Sequence, residues 1–328
     1  MKEWILRRYG EGPIEPFVEW RKLVGRHKTL EYLEWEYKNG PWGSAETWIA
    51  DIDGQIVGQY TMQRYECFFF GKKVMASLSI DNAVHPDYRR RGIYVALEKQ
   101  IMREEGKNNV IFSTGFPNQQ ALPGHLKNDW YVIGSIPLLV NDNIIEIKAE
   151  KNSRYKLERI QKFDKKFDKL SESFKDELPI YLNRTSDYLN WRFVEKPQFL
   201  PPNLSYIYEN YKIIDKMGEL VSYIVTKIYE TENLRILHLI DFLVPDDEGI
   251  YQLILSTLIN KAKSLGINTI SLFLNKAHPF TSFLRSKNFY FANTERVYII
   301  HININTLNEK EIKDERNHYI TMADSDLY

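Results

Sequence analysis

Three arginines and a glycine stand together in Val84-His85-Pro86-Asp87-Tyr88-Arg89-Arg90-Arg91-Gly92-Ile93-Tyr94. A strand reads up to Val84, because Pro86 cannot pair regularly beyond it. A helix is predicted from near Gly92, with Ile93, Ala96, Leu97 and Ile101 as its apolar stripe and Gly106 as its stop. The arginines therefore sit where a strand hands over to a helix start. Such a start presents unpaired N–H groups and a partial positive charge, which together hold an anion. Gly92 lets the backbone come close, and arginines add charge-assisted bonds to phosphate. The chemistry these residue types suit is the grip on a diphosphate.

The elements around this loop must belong to a chain of about two domains, since 328 residues exceed the ~100–200 typical of one. Lysine plus arginine (44) equals aspartate plus glutamate (44), which gives no support to nucleic acid as a partner. Cys67 is the only cysteine, so no internal disulfide and no cysteine-based metal cluster forms; no metal is expected. The charged N-terminus and the lack of a run of ~18–20 apolar residues predict a soluble, cytoplasmic protein without a membrane partner.

Strands are predicted at 4–10, 47–51, 55–70 and 74–84, with hairpin turns at Asp53-Gly54 and Gly71-Lys72. A helix is predicted over 13–24. After the diphosphate loop and its helix come a strand at 109–114, Asn118, a short helix over 119–128, and one final strand from Trp130 to Val140. Charged residues fill 151–178, with Leu157, Ile160, Phe163, Phe167 and Leu170 spaced like a helix face; this reads as a linking helix.

The order then returns: strands at 204–209, 219–229 and 234–244, a helix at 250–265, a strand at 268–274, Asn275, a short helix near 279–287, and a last strand at 295–304. Two alignable halves form an internal repeat. The second copy has Val244-Pro245-Asp246-Asp247-Glu248-Gly249 where the first has its arginines. Three carboxylates at a helix start repel a diphosphate, so the second half is expected not to bind one. The expected domains are 1–145 for the cofactor, 146–203 as connection, and 204–328 as a degenerate copy shaping the acceptor cleft.

The ordered set resembles the Gcn5-related N-acetyltransferase (GNAT) superfamily over roughly residues 1–145. The family signature, Arg or Gln, two residues, Gly, one residue, then Gly or Ala, reads here Arg89-Arg90-Arg91-Gly92-Ile93-Tyr94, and Tyr94 departs from the small last residue. The resemblance implies an α/β fold of two tandem GNAT-like domains, each a mixed, mostly antiparallel sheet flanked by helices. It implies acyl-coenzyme A as co-substrate, gripped by Arg89, Arg90, Arg91, Gly92, Ile93 and Tyr94. The strand before the loop splays from its neighbour in this family, so Ala83 and Val84 would pair with the pantetheine arm by backbone. Asn118 would bond the same arm.

Acyl transfer from a thioester to an amine needs a positioned thioester, a neutral amine, a stabilised oxyanion and often a proton for the thiolate. The strand before the loop offers Ser79 and Asp81 for the amine proton; Asp81 lies where the family often carries a polar group facing the acceptor. His125 falls at the family's proton-donating Tyr position. Trp191, Arg192 and His278 are the candidates for holding the acceptor. Cys67 reads as core, and Asp324 sits in a tail expected to fray. The resemblance further implies N-acylation of a small amine, most plausibly a nucleotide-linked amino sugar such as thymidine-diphosphate 4-amino-4,6-dideoxyglucose for a bacterial surface glycan. The alternatives are a tRNA-dependent aminoacyl ligase of the FemABX type, an aminoglycoside acetyltransferase and a non-catalytic acyl-CoA sensor.

Overall fold

A computed structural model describes residues 3–10, 12–147, 154–197, 205–294, 296–304 and 308–326. The chain divides into two compact units, 1–67 with 72–135 and 295–314, and 68–71 with 136–294 and 315–328.

The first unit opens with β1 (Ile5–Arg8), α1 (Glu15–Leu23) and α2 (Leu30–Tyr37), then β2 (Glu46–Ile52), β3 (Gln55–Phe69) and β4 (Lys72–Val84). Asp53 and Gly54 take positive φ, and the Asp51 carboxylate accepts the Gly54 N–H, so the predicted hairpin forms. Then follow α3 (Ile93–Lys107), β5 (Val110–Gly115), α4 (Leu122–Leu126) and β6 (Trp130–Ser135). Ile93, Leu97 and Ile101 of α3 are buried against Ala50, Val57, Tyr60 and Met62, which fixes the helix on the sheet. α2 carries no sequence expectation above; its Thr29 hydroxyl caps Tyr32 N–H.

The second unit comprises β7 (Leu138–Asn141), β8 (Lys156–Ile160), α5 (Lys166–Ser173), β9 (Ile180–Leu182), α6 (Ser186–Phe193), β10 (Ser205–Ile214), β11 (Leu220–Thr231), β12 (Leu234–Leu243), α7 (Glu248–Ser264), β13 (Thr269–Phe273), α8 (Pro279–Ser286) and β14 (Tyr290–Phe291). β15 (Val297–Ile302) and α9 (Glu309–Ile312) return to the first unit. One sheet runs β1-β2-β3-β4-β5-β15-β6 and the other β14-β7-β13-β12-β11-β10-β8. Both are mixed: β4–β5 and β12–β13 are parallel, while β10–β11, β11–β12 and β15–β6 are antiparallel. The α/β fold of two GNAT-like copies is present.

Three expectations are corrected. The single strand over 130–140 breaks at Ile136-Pro137, since Pro137 has no N–H to donate; β6 stays in the first sheet and β7 joins the second. The last strand does the reverse: β15 lies between β5 and β6. Each copy thus completes its sheet with a strand from the other part of the chain, and the boundaries 1–145 and 204–328 do not describe the units. The linking helix over 151–178 is also absent from its described part. Residues 156–160 form β8, the edge strand beside β10, from Asn210↔Ile160 to Ile214↔Lys156, and only 166–173 is helical. The helical spacing of Leu157 and Ile160 is overridden by pairing along a strand edge, and the stretch belongs to the second unit rather than to a linker. The tail is anchored rather than frayed: Asp324 accepts from Thr321 N–H at 2.7 Å and from Arg184 Nη2 at 2.8 Å.

Candidate functional site

The parallel pairing of β4 with β5 runs from Met75↔Val110 to Leu78↔Thr114. β4 continues to Val84, and Asp81 within it has φ of 53°. This is the left-handed region, which Asp tolerates better than most residues. Ala83 and Val84 lie beyond Leu78, the last β4 residue paired with β5 among the described residues.

At the end of that edge, His85 Nδ1 accepts Asp87 N–H at 3.3 Å and opens a short 3₁₀ turn over Pro86–Tyr88. Arg89, Arg90, Arg91 and Gly92 are exposed. Arg90 and Gly92 both have positive φ, 63° and 78°. Glycine suits that dihedral because of its positive φ and not for want of space, since a Cβ there would meet nothing within 4 Å. Gly92 is the N-cap of α3 and supplies no side-chain cap, and the first turn of α3 has no acidic residue. The N–H groups of Ile93, Tyr94 and Val95 are therefore the unpaired donors of a 15-residue helix. The guanidinium of Arg91 is held by Asp87 O at 3.0 Å and lies 4.9 Å from the Tyr88 ring centroid. These residues fit a diphosphate.

The Tyr94 side chain turns the other way. Its hydroxyl lies 2.9 Å from His125 Nε2. A Cβ at position 124 would come within 2.7 Å of the Tyr94 ring, so Gly124 is the space that admits the bulky residue at the end of the signature. Ile93 is 1% exposed, so only its backbone is available to a ligand. His125 is buried, with Nδ1 2.5 Å from Glu98 Oε1. Glu98 is fully buried in α3 and also accepts from Tyr60 Oη at 2.6 Å and Asn128 Nδ2 at 2.7 Å. A buried carboxylate requires such partners. Ser79 Oγ lies 3.2 Å from Tyr60 Oη and accepts from Asn82 Nδ2 at 2.6 Å. Burial and the Glu98 charge hold Tyr60 and Tyr94 well above the ordinary phenol range, and a hydrogen bond from Asn82 to Tyr94 acts against this. Ser79, His125 and Tyr94 thus meet in one buried network, on the two residues that sequence reasoning missed, Tyr60 and Glu98. Tyr94 and Glu98, four apart on a helix, share a face, which was the available signal.

Asp81 is corrected as a base. Its Oδ1 takes Arg21 Nη2 at 2.7 Å, its Oδ2 takes Lys28 Nζ at 2.5 Å and Tyr37 Oη at 2.9 Å. Burial pushes this carboxyl up, but Lys28 and Arg21 outweigh it and hold Asp81 far below the usual carboxylate range. Such a group does not take a proton from an amine. Asn118 Oδ1 accepts Ala121 N–H at 2.9 Å, which shapes the turn into α4. Cys67 is buried, and burial raises its thiol.

In the second unit Trp191 and Arg192 are buried on α6, and Arg192 donates to Ser325 O at 2.8 Å. That bond ties α6 to the C-terminal segment, and the Trp191 ring lies 6.0 Å from that of Tyr188. His278 caps α8 through Nδ1 to Phe280 N–H at 3.2 Å, and lines a cavity of about 260 Å³ with Phe174, Val244, Asp246, Asn275 and Tyr319. Burial lowers His278 to about 4, against the pull of Asp246. At the start of α7, Asp247 Oδ1 accepts Gly249 N–H at 2.8 Å and Ile250 N–H at 3.3 Å. That helix start is occupied by the chain's own carboxylate.

Residues 6–125 match the acetyltransferase (GNAT) domain family. No curated protein matches the sequence. Among solved structures, a GCN5-related N-acetyltransferase from Anabaena variabilis is similar at a TM-score of 0.72 and 16% identity, over 92% of this chain and 73% of that one. A tandem GNAT protein from the clavulanic acid biosynthesis pathway is similar at 0.56 and 12%, over 93% and 100%. Saccharomyces cerevisiae N-myristoyltransferase, solved with bound myristoyl-CoA, is similar at 0.60 and 12%, over 93% and 84%. Among the described residues no helix is long and apolar enough to cross a membrane.

Proposed function

We propose, from the match of residues 6–125 to the acetyltransferase (GNAT) domain family, that this chain uses acyl-CoA to acylate the amine of a nucleotide-linked amino sugar, with thymidine-diphosphate 4-amino-4,6-dideoxyglucose as the first acceptor to test. The observation that carries the acyl-CoA half of this reading is the uncapped start of α3 behind Arg89-Arg90-Arg91-Gly92. The diphosphate sits on the N–H groups of residues 93–95 and on the arginines. The pantetheine arm runs along β4 past Ala83 and Val84, and Asn118 flanks it. The second copy holds no coenzyme A, because Asp247 fills the matching helix start. The acceptor class rests on the resemblance of the doubled plan, with one silent copy, to sugar N-acyltransferases. His278 is the acceptor-side candidate that remains after Trp191 and Arg192 are set aside. With Asp81 locked in ion pairs, the amine sheds its proton to water.

A thermal-shift series with coenzyme A, acetyl-CoA and branched acyl-CoAs, each with and without nucleotide-diphosphate amino sugars, tests the reading. A ligand at a hundred times its Kd stabilises by ~2.7 kcal/mol. Stabilisation by coenzyme A that falls to about 1.4 kcal/mol in Arg91→Ala, as a tenfold weaker site gives, supports the cofactor site, and a further shift with one sugar nucleotide supports the acceptor. No shift with any coenzyme A species would overturn the reading.

A further inference from the structure

We propose that Asn82 is a positioning residue for the cofactor: its side chain stands in for a main-chain partner between β3 and β4, and so sets how the strand end at Ala83 and Val84 meets the pantetheine arm. This rests on the acyltransferase reading above, in which that arm runs along β4. Asp81 has φ of 53°, and its C=O accepts from Arg21 Nη1 at 3.0 Å. On the neighbouring strand the N–H of Thr61, a fully buried residue, donates to Asn82 Oδ1 at 2.9 Å. Two main-chain groups of adjacent strands are thus served by side chains at one point of the ladder. Three residues beyond Asn82 the contact is main chain to main chain, His85 N–H to Val57 O at 2.9 Å.

A buried N–H must find an acceptor, and the Asn82 carboxamide supplies one where β4 takes a positive φ. The amide is itself aimed: Nδ2 donates to Ser79 Oγ at 2.6 Å, and Ser79 is buried. With both ends bonded, the carboxamide holds one orientation. Asn82 therefore couples the position of β3 to that of the two residues that follow it, Ala83 and Val84, where β4 ends.

The second copy is built differently at this point. Counting back from Val84 and Val244, Leu239 and Phe242 stand where Ser79 and Asn82 stand, while the aspartate is kept, Asp241 for Asp81. There the ladder runs on through Val225↔Asp241, Ile224↔Phe242 and Tyr223↔Leu243. The carbonyls of Phe242 and Leu243 accept hydroxyls of the chain itself, from Tyr319 at 2.8 Å and Ser222 at 2.6 Å. The clamped aspartate is common to both copies, but the serine and asparagine belong to the copy with the arginine loop. A side-chain bridge confined to that copy is a feature of the ligand's strand rather than of the shared frame.

Coenzyme A and 3′-phospho-ADP together provide the test. The second is coenzyme A without its pantetheine arm, so both load the arginine loop and only the first reaches β4. Calorimetry on the full chain gives a Kd for each. Asn82→Ala should weaken coenzyme A by about tenfold, the size of one net hydrogen bond, while 3′-phospho-ADP stays within about twofold of wild type. Asn82→Asp, whose carboxylate still accepts the Thr61 N–H, should recover most of the loss. Equal weakening of both ligands would show a structural role alone, and unchanged coenzyme A binding would show that the bridge does not act on the arm. Either result overturns the inference and leaves the acyltransferase reading in place. A wild type that binds neither ligand overturns both. If Asn82→Ala does not fold, Ser79→Ala decides. It releases the amide without touching the loop, and should weaken coenzyme A by about threefold with 3′-phospho-ADP unchanged; wild-type affinity for coenzyme A in that variant would equally overturn the inference.

Discussion

The starts of α3 and α7 occupy the same place in two copies of one plan, and they have opposite electrostatics. α3 begins at Gly92 with no side-chain cap and three arginines before it. α7 begins at Asp247, whose carboxylate accepts two of its N–H groups and one bond from Tyr155 at 2.7 Å. A capped start is the stable solution, because the donors are satisfied internally. An uncapped start leaves donors for a ligand. The difference teaches that one start leaves its donors open at some cost in stability, while the other satisfies them with its own carboxylate.

A second pair of positions shows what the copies share. Asp81 precedes Val84 by three residues, as Asp241 precedes Val244. Asp81 is clamped by Arg21, Lys28 and Tyr37, and Asp241 by Arg184 at 2.9 Å, Tyr223 at 2.6 Å and Thr321 at 2.7 Å. A carboxylate held by a guanidinium and a tyrosine at the matching position of both copies belongs to the frame of the fold. The largest expected effect follows. Asp81→Ala and Asp241→Ala should each lose about 3–5 kcal/mol in urea unfolding, because each takes a carboxylate partner from a buried guanidinium. An Asp81→Ala protein of wild-type stability but reduced turnover would break this parallel and restore Asp81 as a base.

The next effect comes from giving α3 the start of α7. Gly92→Asp places a carboxylate on the open donors, and Asp is among the few residues that accept positive φ. Coenzyme A affinity by calorimetry should fall by ~100-fold or more, about 2.7 kcal/mol, with stability within about 1 kcal/mol of wild type. Undiminished binding would mean that the diphosphate does not sit at this helix start. Arg91→Ala should weaken coenzyme A by about tenfold, with a shallower salt dependence than wild type, since one exposed arginine is one charge-assisted contact among several. An unchanged salt dependence would assign the grip to backbone alone.

Much of this was legible in the sequence, and the rest was hidden for definite reasons. The loop at 89–92 is local, so its residue types and the flanking periodicities reveal it. The α3 stripe of Ile93, Leu97 and Ile101 is likewise local, and all three are buried. The exchange of β7 and β15 is a matter of long-range pairing, which a strand pattern cannot address; Pro137 was the only local mark of it. The lock on Asp81 depends on Arg21 and Lys28, about 60 and 53 residues away in sequence, so position within the strand gave the wrong role. Glu98 was passed over because a glutamate on a helix is usually solvated. Its four-residue spacing from Tyr94 was the readable clue.

The smallest effect concerns the turn into the short helix of each copy. In the first unit the turn is held by an amide, Asn118 to Ala121 N–H at 2.9 Å; in the second, α8 is capped by an imidazole, His278 to Phe280 N–H. Only the second can titrate. His278 is held neutral in the folded chain by burial, which lowers it to about 4, while the unfolded chain takes up its proton near 6.5. Its contribution to stability is complete above about pH 6.5, falls as the pH drops toward about 4, and changes no further below that. By about pH 5.5 the loss should be about 1 kcal/mol. His278→Asn keeps a capping side chain and removes the titration, so its unfolding free energy should be flatter than wild type between about pH 6.5 and 4. Parallel curves for the two proteins would show that His278 is no more buried in solution than an ordinary surface histidine, and would reopen it as a group free to meet an acceptor.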